Sequence, residues 1–270
     1  MTDAPQPPDR TPGDPTPGTP PPAPPPPPPG APAGGAGAAG VPATFAATPS
    51  GSSVERVRVA YTRRNETDYV FSFWTALGWT LLTCGIYSLY VVYQLVRRSR
   101  DHNARRLEEL DAATAVAWEA AERQGLTEEL RPQFDSIAGN LAVLRGMTSD
   151  FREPLVWVAL CVVTGIATWI AYILLDGDRV KHDYHEGAIE NDLAAIYTRL
   201  GASLSGPDPA RLQGKHNYVG RIVATLLTCG LYGLWWLYDM MEDLNRHFRA
   251  NWAWEDQLAG AVQSVSGGAA

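Results

Sequence analysis

The densest run of chemistry-bearing residues in the chain is His182-Asp183-Tyr184-His185-Glu186. On a helix, Asp178 shares a face with His182, and His182, His185 and Glu186 share one too, so two imidazoles and two carboxylates converge. Such a set suits a nitrogen-and-oxygen metal site or a pH-sensitive patch. The order is not the His-Glu-x-x-His of a zinc peptidase. The expectation is therefore a solvated helix start of mixed charge, with no metal and no cofactor assigned and with His182, His185 and Glu186 as the metal candidates. His102 and His247 stand beside Asp101 and Arg246 and read as interface or surface residues. Cys84, Cys161 and Cys229 are odd in number, lack metal-ligand spacing and read as small buried hydrophobes. There is no Gly-rich phosphate loop, no Gly-x-Ser-x-Gly elbow and no Cys-x-x-Cys, so the expectation is a protein that is not an enzyme.

These residues must be carried by a 270-residue chain with 45% hydrophobic residues and a formal net charge of −7. The acidic balance excludes a nucleic-acid binder, which needs a clustered basic face. Composition divides the chain sharply: residues 1–53 hold 18 of the 22 prolines. That segment reads as a disordered Pro/Ala/Gly-rich tail, extended by its proline runs and suited to a protein partner with a proline-binding groove. Residues 54–260 read as a helical membrane domain and 261–270 as a flexible C-terminus. The fold class expected is all-α, an integral membrane protein with about three spans, over 71–96, 155–175 and 218–241. Each stretch is apolar and long enough to cross a hydrocarbon core about 30 Å thick. Amphipathic helices connect them: one after Arg97 ended by Gly125, one presenting Phe134, Ile137, Leu141 and Leu144, and one presenting Ile189, Leu193, Ile196 and Leu200 before Gly201.

Arg97, Arg98, Arg100, Arg105 and Arg106 follow the first stretch and read as a lipid-facing basic patch. The positive-inside rule places this flank in the cytoplasm, yet Arg56, Arg58, Arg63 and Arg64 argue the same for the other flank. Either 71–96 is one kinked crossing, the favoured reading, or it bends back at Thr83-Cys84-Gly85 as a hairpin. No secretory signal opens the chain, which points to a cytoplasmic N-terminus. Twenty of the 22 basic residues are arginine, a usage that suggests a GC-rich bacterial gene.

Sliding the chain on itself by 145 residues aligns Thr80-Leu81-Leu82-Thr83-Cys84-Gly85-Ile86-Tyr87 with Thr225-Leu226-Leu227-Thr228-Cys229-Gly230-Leu231-Tyr232, identical at seven of eight positions. The register continues through Leu89 with Leu234, Tyr93 with Tyr238 and His102 with His247, an internal repeat of 80–103 in 225–248. The repeated Thr, Cys, Gly and Tyr read as a site of helix kinking or close packing. At these residues the chain resembles a family of bacterial membrane proteins known as domain of unknown function 4234. The family's mark is Thr-Cys-Gly-Ile-Tyr-Gly-Ile-Tyr-Trp followed by an acidic-acidic-Leu-Asn stretch. Thr228 to Trp236 and Glu242-Asp243-Leu244-Asn245 match it closely. The first copy departs, with Ser88 at the second glycine, Val91 at the tryptophan and Arg97-Arg98-Ser99-Arg100 in place of the acidic run. The resemblance implies an integral membrane protein and brings no catalytic residues. The function expected is a non-catalytic scaffold or adaptor at the bacterial plasma membrane, multi-pass, partnered by membrane lipids, by a protein held through the tail, and by a second copy in a homo-oligomer. The alternative is a component of a small-molecule or lipid transporter or channel.

Overall fold

A computed structural model describes residues 52–211 and 216–267, which fall within one unit. The expected docking role of the proline-rich tail lies outside the described residues, as do positions 268–270. What is described is helical throughout: α1 (Ser53–Thr62), α2 (Arg64–Thr67), α3 (Phe73–Leu82), α4 (Tyr87–Gln124), α5 (Arg131–Ser149), α6 (Pro154–Thr164), α7 (Ala167–Arg199), α8 (Tyr218–Leu227) and α9 (Leu231–Gly267).

Local sequence explains the ends of these helices. Ser52 caps α1 by accepting the Glu55 N–H. Pro132 and Pro154 sit in the first turns of α5 and α6, where a missing N–H costs nothing. Gly125 stops α4 at φ +70°. The amphipathic patterns hold, since α5 buries Phe134, Ile137, Leu141 and Leu144, and α7 buries Ile189, Leu193 and Ile196. The two terminal boundaries move. A helix begins already at Ser53, and α9 continues through 261–267 with Ala261 and Val262 buried.

The three apolar stretches are not single spans. Each is broken near its middle, at Cys84-Gly85, Gly165 and Cys229-Gly230, where the backbone enters positive φ and reverses. Among the described residues no helix is long and apolar enough to cross a membrane. The arms fold back on each other. Arg152 pairs with Asp178, thirteen residues either side of Gly165, and Arg221 with Asp239, nine residues either side of Gly230. Arg98 reaches the Tyr69 carbonyl, fourteen residues either side of Thr83-Cys84. The hairpin reading of 71–96 therefore replaces the kinked crossing.

The long second arms α4, α7 and α9 all begin at a turn, run the same way and pack together, which gives the unit three layers. Nearest the turns, Val91, Leu95 and Val96 meet Tyr172, Leu175, Trp236 and Met241 in an apolar cluster. Farthest from them, Leu110 to Ala121 of α4 pack with Ile189 to Tyr197, Trp254, Leu258 and α5 in a second core. Between the two lies a layer of buried charge.

Candidate metal centre

The middle layer is built by one pattern used three times. His102 and Arg106 on α4, His182, Glu186 and Glu190 on α7, and His247, Asn251 and Glu255 on α9 follow at spacings of four, which stacks each set along one helix face. All eight side chains are buried. Three histidines and Glu186 converge: one ligand atom from each of His102, His182, Glu186 and His247 lies within 4.8 Å of all the others.

Second contacts fix this geometry. Asp68, in the turn after α2, holds His102 Nδ1 at 2.9 Å, and Asp183 holds His247 Nδ1 at 3.1 Å. Both rings thus direct Nε2 inward, and the two Nε2 atoms face each other at 3.1 Å. Glu186 accepts from Arg106 Nε at 2.5 Å and from Asn251 Nδ2 at 2.9 Å through Oε1. Its Oε2 turns toward the rings, 3.4 Å from His247 Nε2 and 3.7 Å from His182 Nε2. Asn251 Nδ2 also lies 3.2 Å from His247 Nε2 and 3.5 Å from His102 Nε2. Arg106 and Asn251 are 145 residues apart, as are His102 and His247, so both copies of the repeat grip the same carboxylate of the middle hairpin.

Electrostatics follow from burial. Loss of water lowers the His182 imidazole to about 3 and also lowers that of His102. Burial alone would raise Glu186, but Arg106 and Arg211 hold it well below the usual carboxylate range. Asp68 is likewise held low against its burial by the His102 ring and Arg105. Farther from the histidines, burial together with neighbouring Glu109 pushes Glu255 up to about 8, and burial raises Glu190. The arrangement offers three imidazole nitrogens and one carboxylate oxygen, a donor set that takes a first-row divalent cation.

The expected sites are redistributed. His182 and Glu186 belong to the centre. His185 points away to Asn140 at 2.8 Å, and Asp178 goes to Arg152. His102 and His247, read as interface or surface residues, are central; their stride to Arg106 and Asn251 and their shared register were the available signal. The basic patch is corrected as well. Arg97 and Arg100 remain at the surface with Asp101, but Arg98, Arg105 and Arg106 are buried. Arg105 pairs with Asp68, Glu109 and Glu255, and Arg106 with Glu109, Glu186, Glu190 and Glu255. Arg98 bonds Asn245 at 2.8 Å and lies over Phe71. A second acidic group, His216 with Asp239 and Asp243, is already paired with Arg179, Arg221 and Arg246.

The repeated Thr-Cys-Gly-Tyr motif is a turn, not a packing surface: nothing lies within 4 Å of a Cβ placed on Gly85 or Gly230. Thr83 Oγ1 donates to the Trp79 carbonyl at 2.8 Å and accepts the Tyr87 N–H at 2.9 Å. Thr228 repeats this with Ala224 and Tyr232 at 2.8 and 2.9 Å. Thr164 does so with Leu160 and Ala167, at 2.8 and 3.3 Å, so the middle hairpin uses the same device. Cys84 and Cys229 sit exposed in these turns, whereas Cys161 is buried as expected. No curated protein and no solved structure matches the chain. Residues 217–260, which carry the second copy of this turn together with His247, Asn251 and Glu255, match the family described as Domain of unknown function (DUF4234), in agreement with the resemblance read from Thr228 to Asn245.

Proposed function

We propose that this protein is a membrane-seated scaffold that dips three helical hairpins into one leaflet and holds its polar helical layers at the membrane face. The observation that carries the reading is where the exposed large apolar side chains gather. Leu82 is 72% exposed, Val163 81% and Leu227 80%, and each is beside a hairpin turn, joined by Leu81, Ile86, Val162, Ile166, Leu226 and Leu231. Tips of this kind carry a large cost in water and a gain in lipid. The first arms are 10, 11 and 10 residues long. At about 1.5 Å per residue they reach about 15 Å, half of a hydrocarbon core of about 30 Å.

A chain that reverses inside hydrocarbon must bond its own backbone. The turns do this. The N–H groups of Thr83, Cys84, Gly85 and Ile86 reach carbonyls of Trp79, Leu81, Thr80 and Thr83, and the equivalent groups at 228–231 do the same. The three threonine hydroxyls satisfy the next amide. Tyr69 and Trp74 lie at the base of the first arm, where aromatic rings suit the headgroup level. An open apolar groove of about 380 Å³ between the hairpins, lined by Phe73, Cys161, Trp169 and Leu237, fits lipid tails. This reading also removes the conflict of the arginine flanks, because both ends of each hairpin stay on one side, the expected cytoplasmic one.

The test is sided labelling of the full chain in membranes, with single cysteines at Arg63→Cys and Arg100→Cys in a background lacking the three native thiols. Labelling of both from the same side supports seating in one leaflet. Labelling from opposite sides overturns it in favour of a crossing.

A further inference from the structure

We infer that His102, His182, His247 and Glu186 bind one divalent transition-metal ion of the zinc class, which clamps the two repeat copies to the middle hairpin. Three observations converge. The first is the pair of Nε2 atoms 3.1 Å apart. The His102 ring donates its Nδ1 proton to Asp68 and the His247 Nδ1 lies 3.1 Å from the Asp183 carboxylate, so both rings turn a carboxylate-backed edge outward and Nε2 inward. Two inward lone pairs at that distance repel, and the one nearby donor, the Asn251 amide at 3.2 and 3.5 Å, already bonds Glu186 and has one N–H left for the pair, whereas a cation satisfies both. The second is His182, whose ring is buried with no hydrogen-bond partner at either nitrogen, next to a Glu186 Oε2 that has none either. Buried polar atoms left in this state are costly, and metal ligation satisfies both. The third is charge. The connected layer holds the carboxylates of Asp68, Glu109, Asp183, Glu186 and Glu190, with Glu255 raised to about 8 and so largely neutral near pH 7, against the guanidiniums of Arg105, Arg106 and Arg211, an excess of two negative charges that a divalent ion offsets.

The spacing fits the ion. Zinc bonds of about 2.0–2.1 Å in a tetrahedron set neighbouring ligand atoms about 3.3 Å apart. Three of the six separations here are 3.1, 3.4 and 3.7 Å, and all six lie within 4.8 Å. Carboxylates behind two of the imidazoles, and Arg106 with Asn251 behind Glu186, are the supports that orient ligands in metal sites. Four protein ligands leave no open position, which makes the ion structural, not a Lewis acid for a substrate.

The experiment uses the full-length protein purified in detergent, with metal content measured by plasma mass spectrometry and Co²⁺ added to chelator-stripped protein as an optical probe. We expect one metal ion per chain, a visible Co²⁺ spectrum of tetrahedral type, and a rise in Tm of about 5 °C or more when Zn²⁺ is restored. His247→Gln and Glu186→Gln lose the Co²⁺ spectrum and the Tm rise, while His185→Gln keeps both. If His247→Gln does not fold, the wild-type titration alone decides. Folded wild-type protein with no metal above the buffer blank, no Co²⁺ spectrum and no Tm change with Zn²⁺ overturns the inference and leaves a shared proton between the two Nε2 atoms. The outcome does not depend on which side of the membrane the flanks are labelled from.

Discussion

A single threonine hydroxyl bridges each hairpin turn. Thr83 and Thr228 both give and take a hydrogen bond across the reversal, so Thr83→Val or Thr228→Val removes two bonds and leaves the Tyr87 or Tyr232 N–H without its partner. Each substitution is expected to cost about 1–2 kcal/mol, read as a lower Tm in detergent. Buried charge sets larger stakes. Arg106 touches four carboxylates, and Arg106→Ala leaves them uncompensated; a loss of about 3–5 kcal/mol in denaturant unfolding is expected. Asp176 gives the pH dependence. Burial raises its carboxyl, but Arg179, Tyr218 and His216 hold it below the ordinary carboxylate value in the folded chain. A depressed acid contributes stability above its unfolded value near 4 and loses it as pH falls below that toward the folded value. Denaturant midpoints measured from pH 6 to 2.5 should therefore fall more steeply in the wild type than in Asp176→Asn. The His182 to Glu186 part of the centre was legible in sequence because it is one contiguous run. His102 and His247 were not, since their partners come from α7 and from Asp68, far away along the chain.

At the level of helices, the amphipathic segments were legible because their cores follow a stride of three and four that burial enforces, as in Phe134, Ile137, Leu141 and Leu144. The hairpins were misread as spans because hydropathy measures how apolar a stretch is and carries no information on chain direction. Reversal depends on backbone angles at one or two residues. Gly85 and Gly230 stand at φ +94°, a conformation other residues adopt with strain. Gly85→Ala and Gly230→Ala should each destabilise by about 1–2 kcal/mol and by similar amounts, since the two turns share their angles and bonds. Thermal unfolding of the two variants side by side checks this. The copies diverge where their neighbours differ. Gly233 is in near contact with Trp169, with a Cβ there only 2.6 Å from the ring, whereas Ser88 at the matching position bonds the Gly85 carbonyl. Val91 against Trp236 is a similar exchange, the tryptophan filling space beside Trp169 and Tyr172.

Taken whole, the chain buries a charged layer between two apolar ones, an order that composition averages hide. Overall charge and hydropathy described an ordinary mixture; the arginines counted toward the lipid surface were in part the interior. The layer's parts come from two copies of one unit facing each other across the middle hairpin, with His102 opposite His247 and Arg106 opposite Asn251. A symmetric homodimer would build such a pocket across its two-fold axis, and its occupancy would then fall on dilution. Joining the halves in one polypeptide replaces subunit association with an effective local concentration that no dilution changes. It also frees the two sides to differ, so one can bring a guanidinium and the other an amide to the same carboxylate oxygen, a pairing that strict symmetry forbids.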